Sequence, residues 1–338
     1  MRKIMIVSTK FRWYGDSFAD AFRMCGCDVL LCKESVRVEK SDFLRYLKYR
    51  THLIKAKDYD DIRNNINRRV IEKFNNYKPD LFLVVMGNQI TPETLKYINL
   101  SCPTAVVLTD TREAYPFYDS VVPLYTKSYT YEITNLTYYK SIGANIDSLF
   151  GLVDEKMYFP IDNVQKRIDI SFVGFMNAER KALLEKIYND FPGLKMEFWG
   201  QYLTSHNPIA YFHYFFSKKK NVFKNKVIHY SKVNEIYNAS KICLNLNGVQ
   251  SVEGWGSRLT EILGTKSFQI VKENLSIKKE FNNCLATYKS YEELKTKITF
   301  FLKNPEERAR LSTNGYSKAI NYFTYKQAAR KILRDFYE

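Results

Sequence analysis

The chain of 338 residues has little of what marks several protein classes. It has only four histidines, and none stands at ligand spacing from a cysteine. Six cysteines (25, 27, 32, 102, 243 and 284) show no zinc-type pattern, since Cys25 and Cys27 are one residue apart. They read as free thiols of a reducing compartment. No apolar run approaches the roughly 18–20 residues that span a bilayer. The opening Met1-Arg2-Lys3-Ile4-Met5-Ile6-Val7 runs directly into Ser8-Thr9-Lys10. It reads as a first strand and not as a signal segment, so a cytoplasmic location is expected. The Asp-x-Asp spacing occurs at Asp58-Tyr59-Asp60, followed by Asp61, but it falls in a polar helical stretch and is not read as a metal motif. Acidic residues are also scarce: 36 Asp and Glu against 52 Lys and Arg leave a net charge of +16.

That charge points to an anionic partner: nucleic acid, acidic lipid headgroups or phosphorylated substrates. Hydrophobic residues at 45% and charged residues at 26% are ordinary globular usage, which excludes disorder. Tyr 26 and Phe 23 give an aromatic content suited to sugar, base or membrane-interface contact.

Strand and helix patterns alternate along the first half. Strands are expected at Ile4–Val7, Val29–Cys32, Leu81–Met86, Thr104–Leu108 and near Tyr129–Tyr131. Helices are expected at Ser17–Cys25, across Lys40–Asn76 and after Thr91, with Thr91 as N-cap and Pro92 in the first turn. The aperiodic stretch Val153–Val164 reads as a linker. The pattern then restarts, with strands at Ile168–Val173, Leu194–Trp199, Val227–His229, Lys241–Leu246, Ser267–Val271 and Leu285–Tyr288. Helices fall at Ala178–Asn189, Val233–Ala239 and Ser257–Leu263, with three more near the C-terminus. Short apolar strands alternating with helices predict two doubly wound α/β domains. Residues 1–155 form the expected first domain and 165–315 the second, with 316–338 a C-terminal helix returning to the first. Ligands of such sheets bind at the carboxyl ends of the strands, so a cleft between the domains is the expected site.

The most informative segment runs from Asn245 to Glu261. It follows a buried strand, contains Gly254 and Gly256, and opens a helix. Ser257 is the expected N-cap. Arg258 and Glu261 are three apart and share a helix face. A helix N-terminus with an adjacent arginine suits a diphosphate. Glu261 and Glu253 are suited to sugar or ribose hydroxyls.

Glu253 to Glu261 resembles the E-x7-E motif of GT-B glycosyltransferases. The C-terminal half resembles the spore-maturation-protein-like branch of the group-1 glycosyltransferases. Asp169-Ile170-Ser171-Phe172-Val173-Gly174 with Arg180, Phe198-Trp199-Gly200, Lys232–Asn245 and Asn304-Pro305-Glu306-Glu307-Arg308 carry the same resemblance. It covers about residues 168–330. In the first half, Val107-Leu108-Thr109-Asp110 resembles a strand-end acidic position facing the cleft. The family's small-small-Gly turn after the second Glu is changed here, with Gly264 and Lys266 near it. The resemblance implies that Glu261 holds the donor ribose and Glu253 the donor sugar or its phosphate end. It implies that Arg258 and Arg180 neutralise the diphosphate, and that Gly174 and Gly256 permit close backbone approach. Tyr230, beside His229, is a candidate near the nucleotide base.

The expected function is transfer of a hexosyl or related sugar from a nucleotide-diphosphate sugar, such as a UDP-sugar, to an acceptor hydroxyl. Cell-surface polysaccharide biosynthesis on a glycan or lipid-linked acceptor is the expected setting. No metal cofactor is expected, because a helix dipole and arginine can meet the leaving-group charge. Asp110 is the candidate general base, with Asp16 as competitor. The segment Tyr211–Lys226, with five lysines and no acid, suits an anionic membrane face, so a peripheral membrane location is expected. Phe43–Lys55 is a second basic amphipathic stretch. Two alternatives stay open. One is nucleic-acid binding or glycosylation of a nucleic-acid base, which would use the positive charge. The other is a non-catalytic nucleotide-sugar binder.

Overall fold

A computed structural model of the chain describes residues 1–9, 13–34, 56–87, 89–113, 115–203, 208–246 and 252–338. The stretch Phe43–Lys55, with His52, and His206 and Asn247 lie outside the described residues. The chain divides into two compact units, Met1–Phe150 with Tyr325–Glu338, and Gly151–Thr324.

In the first unit the strands are β1 (Lys3–Ser8), β2 (Asp28–Lys33), β3 (Leu81–Val85), β4 (Thr104–Leu108), β5 (Lys127–Thr130) and β6 (Ile146–Ser148). They form one parallel sheet in the order β2-β1-β3-β4-β5-β6. Every residue of β3 and β4 is buried, which is the pattern of strands covered on both faces. The helices here are α1 (Tyr14–Met24), α2 (Ala56–Tyr77), α3 (Pro92–Asn99), α4 (Tyr118–Val121) and α5 (Ile133–Ser141). Thr91 caps α3 through its hydroxyl, which accepts from Thr94 N, and Pro92 stands in its first turn. Asp60 lies in α2, exposed and paired with Arg63 at 3.1 Å.

The second unit contains β7 (Ile168–Val173), α6 (Ala178–Asp190), β8 (Met196–Trp199), α7 (Pro208–Phe216), α8 (Tyr230–Asn238), β9 (Ser240–Asn245) and α9 (Ser257–Gly264). They are followed by β10 (Gln269–Lys272), α10 (Leu275–Glu280), β11 (Ala286–Tyr288), α11 (Tyr291–Lys303) and α12 (Pro305–Tyr322). Its parallel sheet runs β11-β10-β9-β7-β8. The chain then returns to the first unit as α13 (Tyr325–Tyr337). There Tyr325 stacks edge-on against Phe18, and Lys331 pairs with Asp147 at 2.6 Å.

The structure departs from the sequence reading at particular points. Residues 227–229 are not a strand; His229 is instead the N-cap of α8, its Nδ1 accepting from Ser231 N. The short strand β6 and the helices α4, α7 and α10 carry too little periodicity to be read from sequence. Helix α7 is apolar almost all round, so it has no polar face to give a 3.6-residue signal.

Candidate functional site

In the second unit the strand order reverses between β7 and β9. In doubly wound sheets that switch point, at the carboxyl ends of the strands, is where a crevice opens for a ligand. Two loops leave the sheet there: Gly174–Asn177 after β7, and the segment after β9 that leads into α9.

The β7 loop is short and tied down. Gly174 N donates to Trp199 O at 2.9 Å. Asn177 caps α6, its Oδ1 accepting from Arg180 N at 2.9 Å. Arg180 Nη1 donates to Phe175 O at 2.9 Å, which bends its side chain back across the loop. Gly200, at φ +151°, lies so close that a Cβ there would sit 2.0 Å from Gly174 O.

The other loop is anchored from several sides. Trp255 is buried and packs edge-on against Phe281 and Phe323. Gly254 O accepts from Asn274 Nδ2 at 2.8 Å. Gly151 N donates to Trp255 O at 3.1 Å, and Thr260 Oγ1 donates to Gly151 O at 3.1 Å. A Cβ on Gly151 would stand 2.2 Å from the Gly256 carbonyl carbon. The N-terminus of α9 is therefore pressed against the backbone at Gly151. Gly256, not Ser257, is the N-cap of α9, and no side chain caps it. Ser257 is the first helical residue and accepts from Thr260 Oγ1 through its carbonyl. Leu259 N donates to Gly256 O at 3.3 Å, and among the described residues no side chain caps the N–H groups of Ser257 and Arg258, which lie at the positive end of α9.

Arg258 and Arg180 meet at this point. The Arg258 guanidinium lies against Gly174, 3.0 Å from where a Cβ would be. Arg180 is depressed from the ordinary arginine pKa by burial and by the charge of Arg258. For Arg258, burial acts downward, but Tyr237 and Glu261 beside it outweigh that and hold its pKa above the ordinary value. Tyr237, on α8, is buried, and burial pushes its hydroxyl up to about 12. Arg258 Nη1, Arg180 Nε and the Tyr237 hydroxyl are all buried, and none finds an aligned hydrogen-bond partner among the described residues. Adjacent cations with unused donors are costly unless an anion completes them.

Glu261 lies one turn after Arg258 and is 5% exposed, close enough to act electrostatically on both Arg258 and Tyr237. Glu253 is half-buried in the turn before Gly254. Tyr230 opens α8 two turns before Tyr237, so the two lie on one face of that helix. The structure thus brings together Gly174, Arg180, Gly256, Ser257, Arg258 and Glu261.

In the first unit, Asp110 follows β4 at its carboxyl end. Its Oδ2 accepts from Thr109 Oγ1 at 3.3 Å, and its charge bears on the buried Tyr118. Asp16 stands inside the first turn of α1 and not on the preceding loop, and it pairs with Lys33 at 2.7 Å. Lys33 ends β2, three strands from β4, a separation of roughly 14 Å at the usual strand spacing. The two aspartates are therefore not brought together.

No site role is read from the sequence for Tyr237, Gly151 or Gly200, although Gly200 and Tyr237 fall in stretches that carry the family resemblance. The heptad spacing from Tyr230 is the signal that points to Tyr237. The turn after α9 is a Schellman motif: Lys266 N donates to Leu263 O and Ser267 N to Ile262 O. Lys266 takes the left-handed position, φ +54°, that glycine usually fills. Gly264 instead closes the helix, with no room for a Cβ against Val153.

Residues 180–334 match the family described as glycosyl transferase-like. The two parallel-sheet α/β units make a GT-B fold. Sucrose-phosphate synthase from Thermosynechococcus elongatus superposes with a TM-score of 0.70 at 11% identity, covering 99% of this chain and 98% of that one. A glycosyltransferase from Rickettsia africae gives 0.65 at 13% identity, with 99% and 98% covered. Anabaena HepE in complex with UDP-glucose gives 0.66 at 12% identity, with 99% and 100% covered. No curated protein sequence matches the chain. The glycosyltransferase-like domain includes Arg180, Glu253, Arg258 and Glu261, whereas Gly174, Asp16 and Asp110 lie before its first residue.

Proposed function

We propose that this protein is a glycosyltransferase that moves a hexosyl or related sugar from a nucleoside-diphosphate sugar to an acceptor hydroxyl. The observation that carries the reading is the Arg258–Arg180 pair at the β7–β9 switch point, two neighbouring guanidiniums of which Arg258 Nη1 and Arg180 Nε are buried and meet no hydrogen-bond acceptor of good geometry among the described residues. A diphosphate is suited to this point: its oxygens can accept bidentate N–H bonds, and its charge opposes two arginines and the positive end of a helix. HepE is a structural neighbour in complex with UDP-glucose, which supports a uridine donor as the first to try.

In the reaction the acceptor oxygen attacks the anomeric carbon, and the bond from that carbon to the diphosphate oxygen breaks. The acceptor proton passes to a base, for which Asp110 is proposed, or to the leaving phosphate. The nucleoside diphosphate leaves with the bonding electron pair, and Arg258, Arg180 and the head of α9 stabilise its growing charge. Glu261 is proposed to hold the ribose and Glu253 the sugar. Tyr230 and the exposed Phe175 are proposed to flank the base. Because two cations and a helix dipole already oppose the diphosphate, the reaction is proposed to need no metal. The proposed setting is polysaccharide biosynthesis at the cell surface.

A panel of UDP-, GDP- and ADP-sugars read by thermal shift, with donor hydrolysis followed in EDTA, tests this. Stabilisation by one nucleotide, with slow metal-free hydrolysis of its sugar, is expected. Stabilisation without any turnover would leave only a binder. Absence of both, alongside salt-steep DNA affinity, would favour the nucleic-acid reading.

A further inference from the structure

Helix α7 is built the wrong way round for a helix that only covers its own domain. One face is satisfied. Tyr211 and Tyr214 pack on the core of the second unit, and the Tyr214 hydroxyl donates to Phe223 O at 2.6 Å. The outer face is also apolar and is open. Ile209 is 66% exposed, Phe212 61%, Phe215 56% and Phe216 78%. Phe212 and Phe216 stack on each other, with ring centroids 4.5 Å apart, and so present one continuous aromatic ridge. Exposed apolar groups of this size gathered on a single short helix mark a contact surface.

The flanking charge says what the surface meets. From Pro208 to Lys226 there are five lysines and no acid. Lys219 is tied to Glu185 at 3.1 Å, and Lys220 donates to Phe215 O at 2.7 Å. The side chains of Lys218, Lys224 and Lys226 form no ion pair or hydrogen bond among the described residues. Aromatic rings at the depth of the headgroups, with lysines beside them, are the chemistry of a helix lying in an anionic lipid surface.

We propose that α7 and the Lys218–Lys226 segment dock this protein on an anionic bilayer, with Phe212 and Phe216 entering the interface and Lys218, Lys224 and Lys226 meeting the headgroups. The docking does not depend on the transferase reading. A sugar transferase held there meets a lipid-linked acceptor, and that consequence alone rests on it.

Sedimentation with phosphatidylcholine vesicles, with and without one-third phosphatidylglycerol, tests the proposal. The wild-type chain is expected to pellet with the anionic vesicles, less so in high salt, and not with pure phosphatidylcholine. The double variant Phe212→Ser/Phe216→Ser is expected to bind at least about tenfold more weakly. Lys218→Gln/Lys224→Gln/Lys226→Gln is expected to lose about fivefold per lysine, about a hundredfold in all. The changed side chains are exposed or unpaired, so both variants keep the wild-type melting temperature. Wild-type protein that stays in the supernatant, or variants that pellet as well as wild type, would overturn the proposal. So would a concentration-dependent dimer, abolished by the phenylalanine changes, in a protein that ignores vesicles. That result would assign the ridge to a second copy of the chain.

Discussion

Replacing Arg180 by methionine separates what this residue does for the fold from what it does for the ligand. Methionine keeps much of the length of the stem and removes the charge. Two terms set the effect on the unliganded protein. The bond from Arg180 Nη1 to Phe175 O is lost, which costs about 1 kcal/mol. Repulsion from Arg258 and the desolvation of a second cation are also lost, which returns about 1–2 kcal/mol at a protein-like dielectric. The terms offset, so the unliganded melting temperature is expected to move by no more than a few degrees. The liganded protein behaves otherwise. A charge-assisted bond to the diphosphate is worth about 1.5–3 kcal/mol, so UDP should bind about 10- to 150-fold more weakly. At a UDP concentration of about 100 times the wild-type Kd, binding stabilises the wild type by about 2.7 kcal/mol. For a unit the size of Gly151–Thr324 that is a shift of roughly 5–10 °C. A hundredfold loss of affinity shrinks it to about 1–2 °C. Differential scanning fluorimetry with and without UDP reads both quantities. A collapse of unliganded stability with the UDP shift intact would make Arg180 a structural residue and refute the reasoning.

Four further predictions follow from the same geometry. Gly151→Ala should destabilise the second unit by about 1–3 kcal/mol in urea unfolding and weaken UDP binding, because its Cβ displaces the backbone at Gly256 and Ser257. Lys266→Gly should raise stability by about 1 kcal/mol by relieving a left-handed lysine, with UDP affinity unchanged. Tyr237, unperturbed near 10 when unfolded, is held protonated to about 12 when folded. The folded state therefore binds more protons between pH 10 and 12, and stability is full below pH 10 and falls as pH rises through 12. Tyr237→Phe should remove about 2–3 kcal/mol of that alkaline loss in pH-dependent denaturation. Asp110→Asn should cut transfer by about 10²–10⁴-fold while leaving the UDP-induced melting shift as it was, and an unaltered rate would remove Asp110 from the chemistry.

The architecture was legible because its strands are short apolar runs with clear punctuation. Leu81–Val85 and Thr104–Leu108 are buried along their whole length, and the cap at Thr91 carries both its hydroxyl and its proline. At the β7–β9 switch, Arg258 and Glu261 could be read from their spacing at the head of a helix, whereas Gly174 and Arg180 were pointed to only by the family resemblance. The partners that complete the site are not local. Gly151 is more than a hundred residues from Gly256, and only the tertiary fold shows that its missing side chain makes room for the head of α9. Nothing local to Tyr237 marks it out, and only the fold sets it beside Arg258. Ser257 looked like a cap because serine prefers that place, yet Gly256 takes it and no side chain caps the helix. Helix α7 was unreadable as a helix because both of its faces are apolar, and the openness of its outer face appears only once the inner face is placed.

The most direct test of the central claim is a crystal structure of the protein grown with UDP. The diphosphate is expected at the head of α9, its oxygens about 3 Å from the guanidinium nitrogens of both Arg258 and Arg180. A nucleotide bound elsewhere, or a diphosphate that leaves either arginine untouched, would contradict the claim.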